Sequence, residues 1–284
     1  MFTGMPGERA RRQLASTRFA DLAWVTETGS TNADVLALAR EGAAEGVVVV
    51  ADHQTAGRGR HGRTWAAPAG ASLLVSVLLR PPAHVIGATT MATAVAAAEA
   101  VEAVAGVTPR LKWPNDLVWP GDGSAPDRKL AGILAEADWP AGADIAAGWR
   151  SPGPHDRAAV VVGLGLNVNW PAELPPEAAD LAEGAIAVNA LAGHDVDRED
   201  LLVALLGRLD HHYGTLVAAG TDAGAVMRAW RDRSATLGRR VRVDLGTDDV
   251  VGTAVDVTAD GHLVVETPEG ERRTFAVGDV VHLR

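Results

Sequence analysis

Val47-Val48-Val49-Val50, followed after a short polar stretch by Gly57-Arg58-Gly59-Arg60-His61-Gly62-Arg63, admits two different folds. A short apolar run bounded by turn residues is the mark of a buried strand. Gly57 to Gly62 then formally satisfies G-x-G-x-x-G, the turn that opens a dinucleotide-binding βαβ unit. That fold requires a helix starting at the glycines and an acidic residue about 20 positions on to hold a ribose. Neither follows here. The loop runs into Thr64, Trp65 and Pro68, then into a second strand-like run, Ser72 to Leu79, and no acid appears until Glu99. The glycines therefore form a loop between two strands, and a Walker phosphate loop is excluded because no Gly-Lys-Ser/Thr follows.

The charge of this loop is out of keeping with the chain. The protein has net charge −10, yet between His53 and Ala98 it carries four arginines and no Asp or Glu. A solvated hairpin tip would account for the glycines. Three arginines in seven residues point instead to an anion, because glycine lets backbone N–H groups approach a ligand and arginine presents a rigid fork of donors to carboxylate or phosphate.

Lysine usage reinforces this. Of 26 basic residues only Lys112 and Lys129 are lysine, in Lys112-Trp113-Pro114-Asn115-Asp116 and Arg128-Lys129-Leu130-Ala131-Gly132-Ile133-Leu134-Ala135-Glu136. An ammonium is a compact charge on a flexible stem, able to follow a phosphate where a planar guanidinium would collide.

Working outward, Ser30 is expected to N-cap a helix running to Gly42, a position compatible with ligand binding because a helix N-terminus presents free N–H groups. Strands are predicted near Val47–Ala51, Leu73–Leu79, Leu130–Ala137 and Val160–Leu166, with a long Ala-rich helix from about His84 to Val104. Helices follow over Asp200–Val217 and Ala223–Ser234. This is not a regular βαβ alternation, so the expected class is α+β, a mixed sheet with helices on one face. Short strands over Val241–Leu245, Val250–Val257, His262–Glu266 and Arg273–Val277, separated by Gly246, Asp260-Gly261 and Glu269-Gly270, read as hairpins of a small barrel. Two domains are expected, 1–235 and 236–284. The Pro/Gly-rich segments 120–126 and 140–154 are expected to be surface loops.

Composition excludes several chemistries. With no cysteine there is no disulfide, thiolate metal site or cysteine nucleophile. His211-His212 point to different faces of one helix, and His53 and His61 flank the basic loop with no metal-ligand spacing to an acid in sequence, so no metal site is expected. No G-x-S-x-G elbow is present. The first residues carry Arg9, Arg11, Arg12 and Arg18 without an apolar core, which suggests an amphipathic opening helix and a cytoplasmic location. The longest Ala-rich stretch is broken by Glu99 and Glu102, so no membrane span is expected.

Five blocks, Ser30-Thr31-Asn32, Gln54 with the Gly57–Arg63 loop and Trp65, Lys112 to Asp116, Arg128 to Glu136 and Gly163-Leu164-Gly165-Leu166-Asn167, together resemble the biotin protein ligases. The resemblance implies a class II synthetase-like catalytic domain followed by an SH3-like barrel. It also implies ATP and biotin as substrates with Mg²⁺ accompanying ATP, and as partner a biotin carboxyl carrier protein or domain of an acyl-CoA carboxylase. On its motifs Lys129, Arg60 and Asp116 would be catalytic, Asp116 either receiving the acceptor amine or fixing the Lys112 turn. Ser30, Thr31, Asn32, Gln54, Gly57, Arg58, Gly59, Arg60, Lys129 and Gly132 would bind biotin. Arg58, Arg60, Arg63, Trp65, Lys112, Asn115, Lys129, Asn167 and the closing Arg284 would bind the nucleotide. In this family some members place a winged helix before the first block. Twenty-nine residues precede Ser30, too few for one, and with the acidic charge no nucleic-acid partner is expected. A monomer or weak homodimer is expected. A lipoate or octanoate ligase would share the sheet and a lysine but lack the arginine loop, whereas a non-enzymatic partner- or nucleic-acid-binding module would use loop and barrel without dependence on Lys129.

Overall fold

The protein is described by a computed structural model covering residues 6–122, 125–138, 157–178, 181–218, 224–246 and 249–283. The loop predicted at 140–154, positions 123 and 124 of the other predicted loop, Ala223 and Arg284 lie outside the described residues. The first sheet comprises β1 (Leu22–Thr28), β2 (Val48–Gln54), β3 (Ser72–Leu79), β4 (Arg110–Lys112), β5 (Asp116–Trp119), β6 (Arg128–Asp138) and β7 (Ala159–Asn167). Their spatial order is β1-β2-β3-β7-β6-β5-β4. Only β1 and β2 run parallel, and the other neighbours are antiparallel. The run Ser72–Leu79 lacks a polar alternation because all eight residues of β3 are buried, as expected of a strand covered on both faces.

The helices are α1 (Glu8–Leu14), α2 (Thr31–Arg40), α3 (Ile86–Ala105), the short α4 (Leu181–Gly184) and α5 (Val188–Ala192), α6 (Arg198–Ala218) and α7 (Gly224–Asp232). On one face α3 and α6 pack over Leu73, Val75, Val77, Val160, Val162 and Leu164. Alanine dominates α3, which lets it lie close to sheet and neighbouring helix, and Gly106 ends it in the left-handed conformation at φ 66°. The expectation that all helices share this face is corrected by α2. Val35 and Ala39 of α2 pack on the opposite face against Val47, Val49, Leu78 and Val161. The N-terminal turn of α2 is buried too, Thr31 and Asn32 meeting Ser76 of β3.

A second sheet follows, with β8 (Arg240–Asp244), β9 (Asp249–Val257), β10 (Leu263–Glu266), β11 (Arg272–Phe275) and β12 (Asp279–His282) in the order β11-β10-β9-β8-β12, every pair antiparallel. Its apolar residues Val241, Val257, Leu263 and Phe275 belong to the same continuous core as α3 and Trp113. Polar surface ties on the first unit use arginine, such as Arg9–Asp197 at 2.6 Å, Arg40–Asp138 at 2.9 Å and Arg233–Glu102 at 3.1 Å.

The two sheets meet at a polar joint. Asp127, just before β6, accepts from His282 Nδ1 at 2.8 Å, and His282 Nε2 lies 3.2 Å from Thr236 Oγ1. Thr236 Oγ1 also accepts the Trp113 backbone N–H at 3.0 Å, while Trp113 Nε1 donates to the Gly261 carbonyl at 2.9 Å. Burial pushes the His282 imidazole below its ordinary 6.5 despite the adjacent carboxylate. Burial opposes the Asp127 charge, yet the Gly121 N–H and His282 hold its carboxyl below the ordinary range. A histidine whose folded pKa is depressed contributes stability in full above its unfolded pKa and loses it as pH falls toward the folded value. Thermal midpoints are therefore expected to fall as pH drops below about 6.5, and His282→Gln should flatten that decline. An equal decline in both proteins would assign the pH dependence elsewhere.

Candidate active site

A cleft of about 360 Å³ opens on the face that α2 leaves bare. Its floor is glycine. Along β7 the residues alternate, Leu164 and Leu166 into the core and Gly163 and Gly165 toward the cleft, and Gly165 pairs with Gly132 of β6. The Trp65 indole lies on this bare backbone: a Cβ on Gly165 would stand 2.4 Å from Trp65 Cε2, and one on Gly132 would stand 2.9 Å from Cζ3. A Cβ on Gly163 would stand 2.1 Å from Asn32 Oδ1. No real Cβ comes that close, so the strand glycines keep room for side chains arriving from elsewhere.

Lys129 reaches this floor through an irregularity. The β5–β6 register shifts between Leu117 and Val118, so that Ala131 pairs with Leu117 and Lys129 with Val118. Leu130 is the extra residue of a bulge, and Leu130 and Ala131 both enter the core. Lys129 and Gly132, three apart, consequently share the cleft face, and Lys129 Nζ comes within 3.0 Å of a Cβ placed on Gly132. The ammonium sits 2.7 Å from Asp116 Oδ1 and 5.5 Å from the Trp65 ring centroid. Oδ1 is buried and meets no hydrogen-bond geometry, so this contact is an ion pair rather than a directed bond.

At the α2 end, Ser30 occupies the N-cap position, but its hydroxyl makes no cap bond. Gln54 Oε1 takes the Thr31 N–H at 2.8 Å and its hydroxyl at 3.0 Å instead. Buried Ser76 Oγ lies between Thr31 Oγ1 and Asn32 Oδ1, at 2.7 and 2.6 Å. Asn32 Nδ2 donates to Glu136 at 2.8 Å. This end is a fixed set of neutral donors and acceptors backed by the Glu136 carboxylate, suited to a small polar head group.

The arginine loop roofs the cleft. It is a closed hairpin, Trp65 N–H to Gly57 O at 2.9 Å, with His61 and Gly62 at φ 53° and 71° making its tip. Arg58 donates to Glu136 at 3.2 Å. Arg60 Nη1 reaches Asn115 Oδ1 and Asp279 Oδ1, both at 3.3 Å, and Arg63 Nη2 reaches Asp279 Oδ2 at 2.8 Å. Burial pushes the Arg60 guanidinium pKa down, partly offset by Asp279 and Asp116. Asn115 is itself fixed by its amide, which donates to the Ile133 carbonyl at 2.7 Å.

Ser30, Thr31, Asn32, Gln54, Arg58, Gly59, Arg60, Arg63, Trp65, Lys112, Asn115, Asp116, Lys129 and Gly132 all line the one cleft. Gly57 does not. It lies beneath Trp65, where a Cβ would meet the Trp65 carbonyl at 2.5 Å. Asn167 is buried behind the floor, its amide donating to the carbonyls of Lys129 at 3.4 Å and Ile186 at 3.3 Å. Asp116 pairs in register with Lys112 across the β4–β5 turn, and its side chain is ion-paired with Lys129. Sequence reasoning missed Ser76, Glu136 and Asp279. An acid within an otherwise apolar strand could have flagged Glu136, but nothing local marks Asp279.

Residues 26–139 match the profile of the Biotin/lipoate A/B protein ligase family, and residues 236–283 that of the Biotin protein ligase C terminal domain. The chain is 39% identical over 279 residues to a biotin–[acetyl-CoA-carboxylase] ligase of Mycobacterium tuberculosis, covering 95% of this chain and 92% of that one. It is 30% identical over 251 residues to the bifunctional ligase/repressor BirA of Bacillus subtilis, covering 87% and 70%. The structure of a biotin protein ligase from Aquifex aeolicus in complex with biotin and ATP superposes with TM-score 0.72 at 26% identity, covering 94% and 100%.

The glycine floor is testable by crowding it. Gly165→Ala should cost about 1–3 kcal/mol in urea unfolding, as overpacking does. Adding Trp65→Ala should relieve at least about 1 kcal/mol of that penalty. Additive costs would mean that the glycine does not serve the indole.

Proposed function

The chain belongs to the biotin protein ligase family, and from that premise and the cleft geometry we infer how it works. It activates biotin with ATP to biotinyl-5′-AMP and transfers the biotin to a lysine of a biotin carboxyl carrier protein or domain. The observation that carries this is the gathering of both lysines and all three loop arginines over one glycine floor. A match to the biotin protein ligase C-terminal domain favours biotin over lipoate.

A carboxylate is a poor acyl donor because oxide is a poor leaving group. One biotin carboxylate oxygen bonds to the α-phosphorus of ATP as the bond to pyrophosphate breaks, giving a mixed anhydride. The ε-amine of the acceptor lysine then attacks the acyl carbon, its proton passes to a base, and AMP leaves. The protein's task is to hold two anions together and neutralise the transition state, so catalysis is positioning and electrostatic preorganisation. We assign Lys129 to the space between carboxylate and α-phosphate, Arg58 and Arg60 to closing over both, and Ser30, Thr31, Asn32, Gln54 and Gly132 to the biotin end. Arg63, Trp65, Lys112 and Asn115 serve the nucleotide. Asn167 acts through the Lys129 backbone. Asp116 holds the Lys129 ammonium and is the base nearest to it for the acceptor amine.

We place magnesium on the nucleotide phosphates, as is usual for that ion. We take residues 1–235 as the catalytic unit and 236–284 as the barrel, working in the cytoplasm as a monomer or weak homodimer without nucleic acid. One helix, Ala83–Ala105, is long and apolar enough to cross a membrane, but its residues are mostly buried inside the fold, which supports a core role for it.

Biotin-dependent exchange of pyrophosphate into ATP should be seen with biotin and not with lipoate or octanoate. Lys129→Arg keeps the charge but exchanges a mobile ammonium for a planar fork, and should lower that exchange by about 10²–10³. Exchange within threefold of the parent would refute the assignment of Lys129.

A further inference from the structure

Ser76 lies on β3, fully buried and outside the cleft lining, yet it touches two residues that line the cleft. Four side-chain oxygens stand in a row there. Asn32 Oδ1 is 2.6 Å from Ser76 Oγ, Ser76 Oγ is 2.7 Å from Thr31 Oγ1, and Thr31 Oγ1 is 3.0 Å from Gln54 Oε1. Three contacts of hydrogen-bond length need three protons, and the row has two, one on each hydroxyl. A Cβ on Gly163 would stand 2.1 Å from Asn32 Oδ1 and 3.2 Å from Ser76 Oγ, so that glycine keeps the place in which the row sits.

Both ends of the row are fixed as acceptors. Asn32 Nδ2 donates to the Glu136 carboxylate at 2.8 Å and the Leu134 carbonyl at 3.2 Å, which turns Oδ1 toward Ser76. Gln54 Oε1 takes the Thr31 backbone N–H at 2.8 Å, which turns the amide oxygen toward the Thr31 hydroxyl. An amide oxygen has no proton to give, so the Ser76 proton goes to Asn32, and Ser76 can only accept from Thr31. The Thr31 proton then has two destinations, Gln54 Oε1 while the cleft is empty and the nearer Ser76 Oγ once another donor reaches Gln54. With that proton on Ser76, Thr31 Oγ1 and Gln54 Oε1 become two bare acceptors side by side. An N–H group completes such a pair; a hydrocarbon, a sulfide or an ester oxygen does not.

We propose that Ser76 is a specificity-determining positioning residue: by accepting the Thr31 hydroxyl proton it converts Thr31 and Gln54 into a paired acceptor for N–H groups of the substrate's head. This rests on the biotin function proposed above as to which substrate arrives. The ring of biotin is a cyclic urea with two N–H groups, whereas the dithiolane of lipoate and the alkyl end of octanoate carry none. Ser76 need not touch the substrate to act. Without it the Thr31 hydroxyl has only Gln54 to donate to, and the two would satisfy each other whatever the ligand. A site whose buried polar groups are left unpaired by the wrong ligand rejects that ligand strongly.

The test uses the full chain with Ser76→Ala, Ser76→Cys, Thr31→Val and the combination of Ser76→Ala with Thr31→Val. Two ligands are compared, biotin and its cyclic carbonate analogue, in which oxygen replaces both ring N–H groups. In Ser76→Ala the Kd for biotin should rise about tenfold, the worth of one hydrogen bond, while that for the carbonate changes by less than about twofold. The KM for ATP in pyrophosphate exchange should stay within about twofold, since the row lies at the head-group end. Ser76→Cys, whose thiol is a weak donor and acceptor, should fall between parent and Ser76→Ala. On the Thr31→Val background Ser76→Ala should change biotin binding by less than about twofold, because the hydroxyl it acts through is already gone. An unchanged Kd for biotin, equal weakening of both ligands, or an undiminished loss on the Thr31→Val background overturns the proposal. Should Ser76→Ala fail to fold, Ser76→Cys with and without Thr31→Val decides by the same criteria. A parent that binds no biotin would count against the biotin function instead, and urea unfolding without ligand would then decide the role of Ser76: losses of midpoint from Ser76→Ala and Thr31→Val that combine to less than their sum support it, and additive losses overturn it.

Discussion

Five cationic side chains, Arg58, Arg60, Arg63, Lys112 and Lys129, line one cleft, and their mutual repulsion is the constraint around which the rest of the structure is arranged. In water such a cluster would disperse. Here each strand system contributes an anion: Glu136 from β6 to Arg58, Asp116 from β5 to Lys129 and Asp279 from β12 to Arg60 and Arg63. Lys112 has no ion pair among the described residues. The negative surplus of the chain is therefore not spread evenly, and the cleft is a positive region kept together by three internal carboxylates. This makes the docking of the second sheet a requirement of the site, because the half-buried Arg60 would otherwise keep only Asn115.

The floor meets a second requirement, that of close approach. Backbone must come near enough for an indole and an ammonium to lie flat on it, which the glycine alternation of β7 and Gly132 of β6 permit. The bulge at Leu130 completes the geometry by turning Lys129 onto the face of Gly132 while Leu130 and Ala131 remain in the core. A regular strand would put residues three apart on opposite faces, so the bulge is what lets one strand supply both floor and charge.

Much of this could be read from residues. The apolar runs gave β2, β3, β6 and β7 to within a few positions, and the mixed class followed from the missing helix after Gly62. The five motif blocks gave most of the cleft lining. What escaped had little pattern to show. β1 is an edge strand in which only Leu22 is buried, and its apolar start Leu22–Val25 gives way at once to Thr26-Glu27-Thr28. β4 and β5 are three and four residues long, and β12 is four residues that begin with Asp279 and end with His282. The partnership of Asp279 with a loop more than 200 residues earlier is long-range and leaves no local trace. The N-terminal cap of α2 misled for a different reason. Ser30 has the right position, but Gln54, brought in by β2, does the capping.

An enzyme that makes an activated acyl anhydride confined only by a loop is the nearest protein to any intermediate that leaks. The surface ties of this chain, Arg9–Asp197, Arg40–Asp138 and Arg233–Glu102 among them, use arginine where lysine would serve as well for charge. Guanidinium stays protonated and is not an acyl acceptor. Apart from its amino terminus, the molecule therefore presents the escaping anhydride with amines only at Lys112 and Lys129, both inside the cleft. The arginine-for-lysine exchange across its surface gives the ligase a coat inert to its own chemistry.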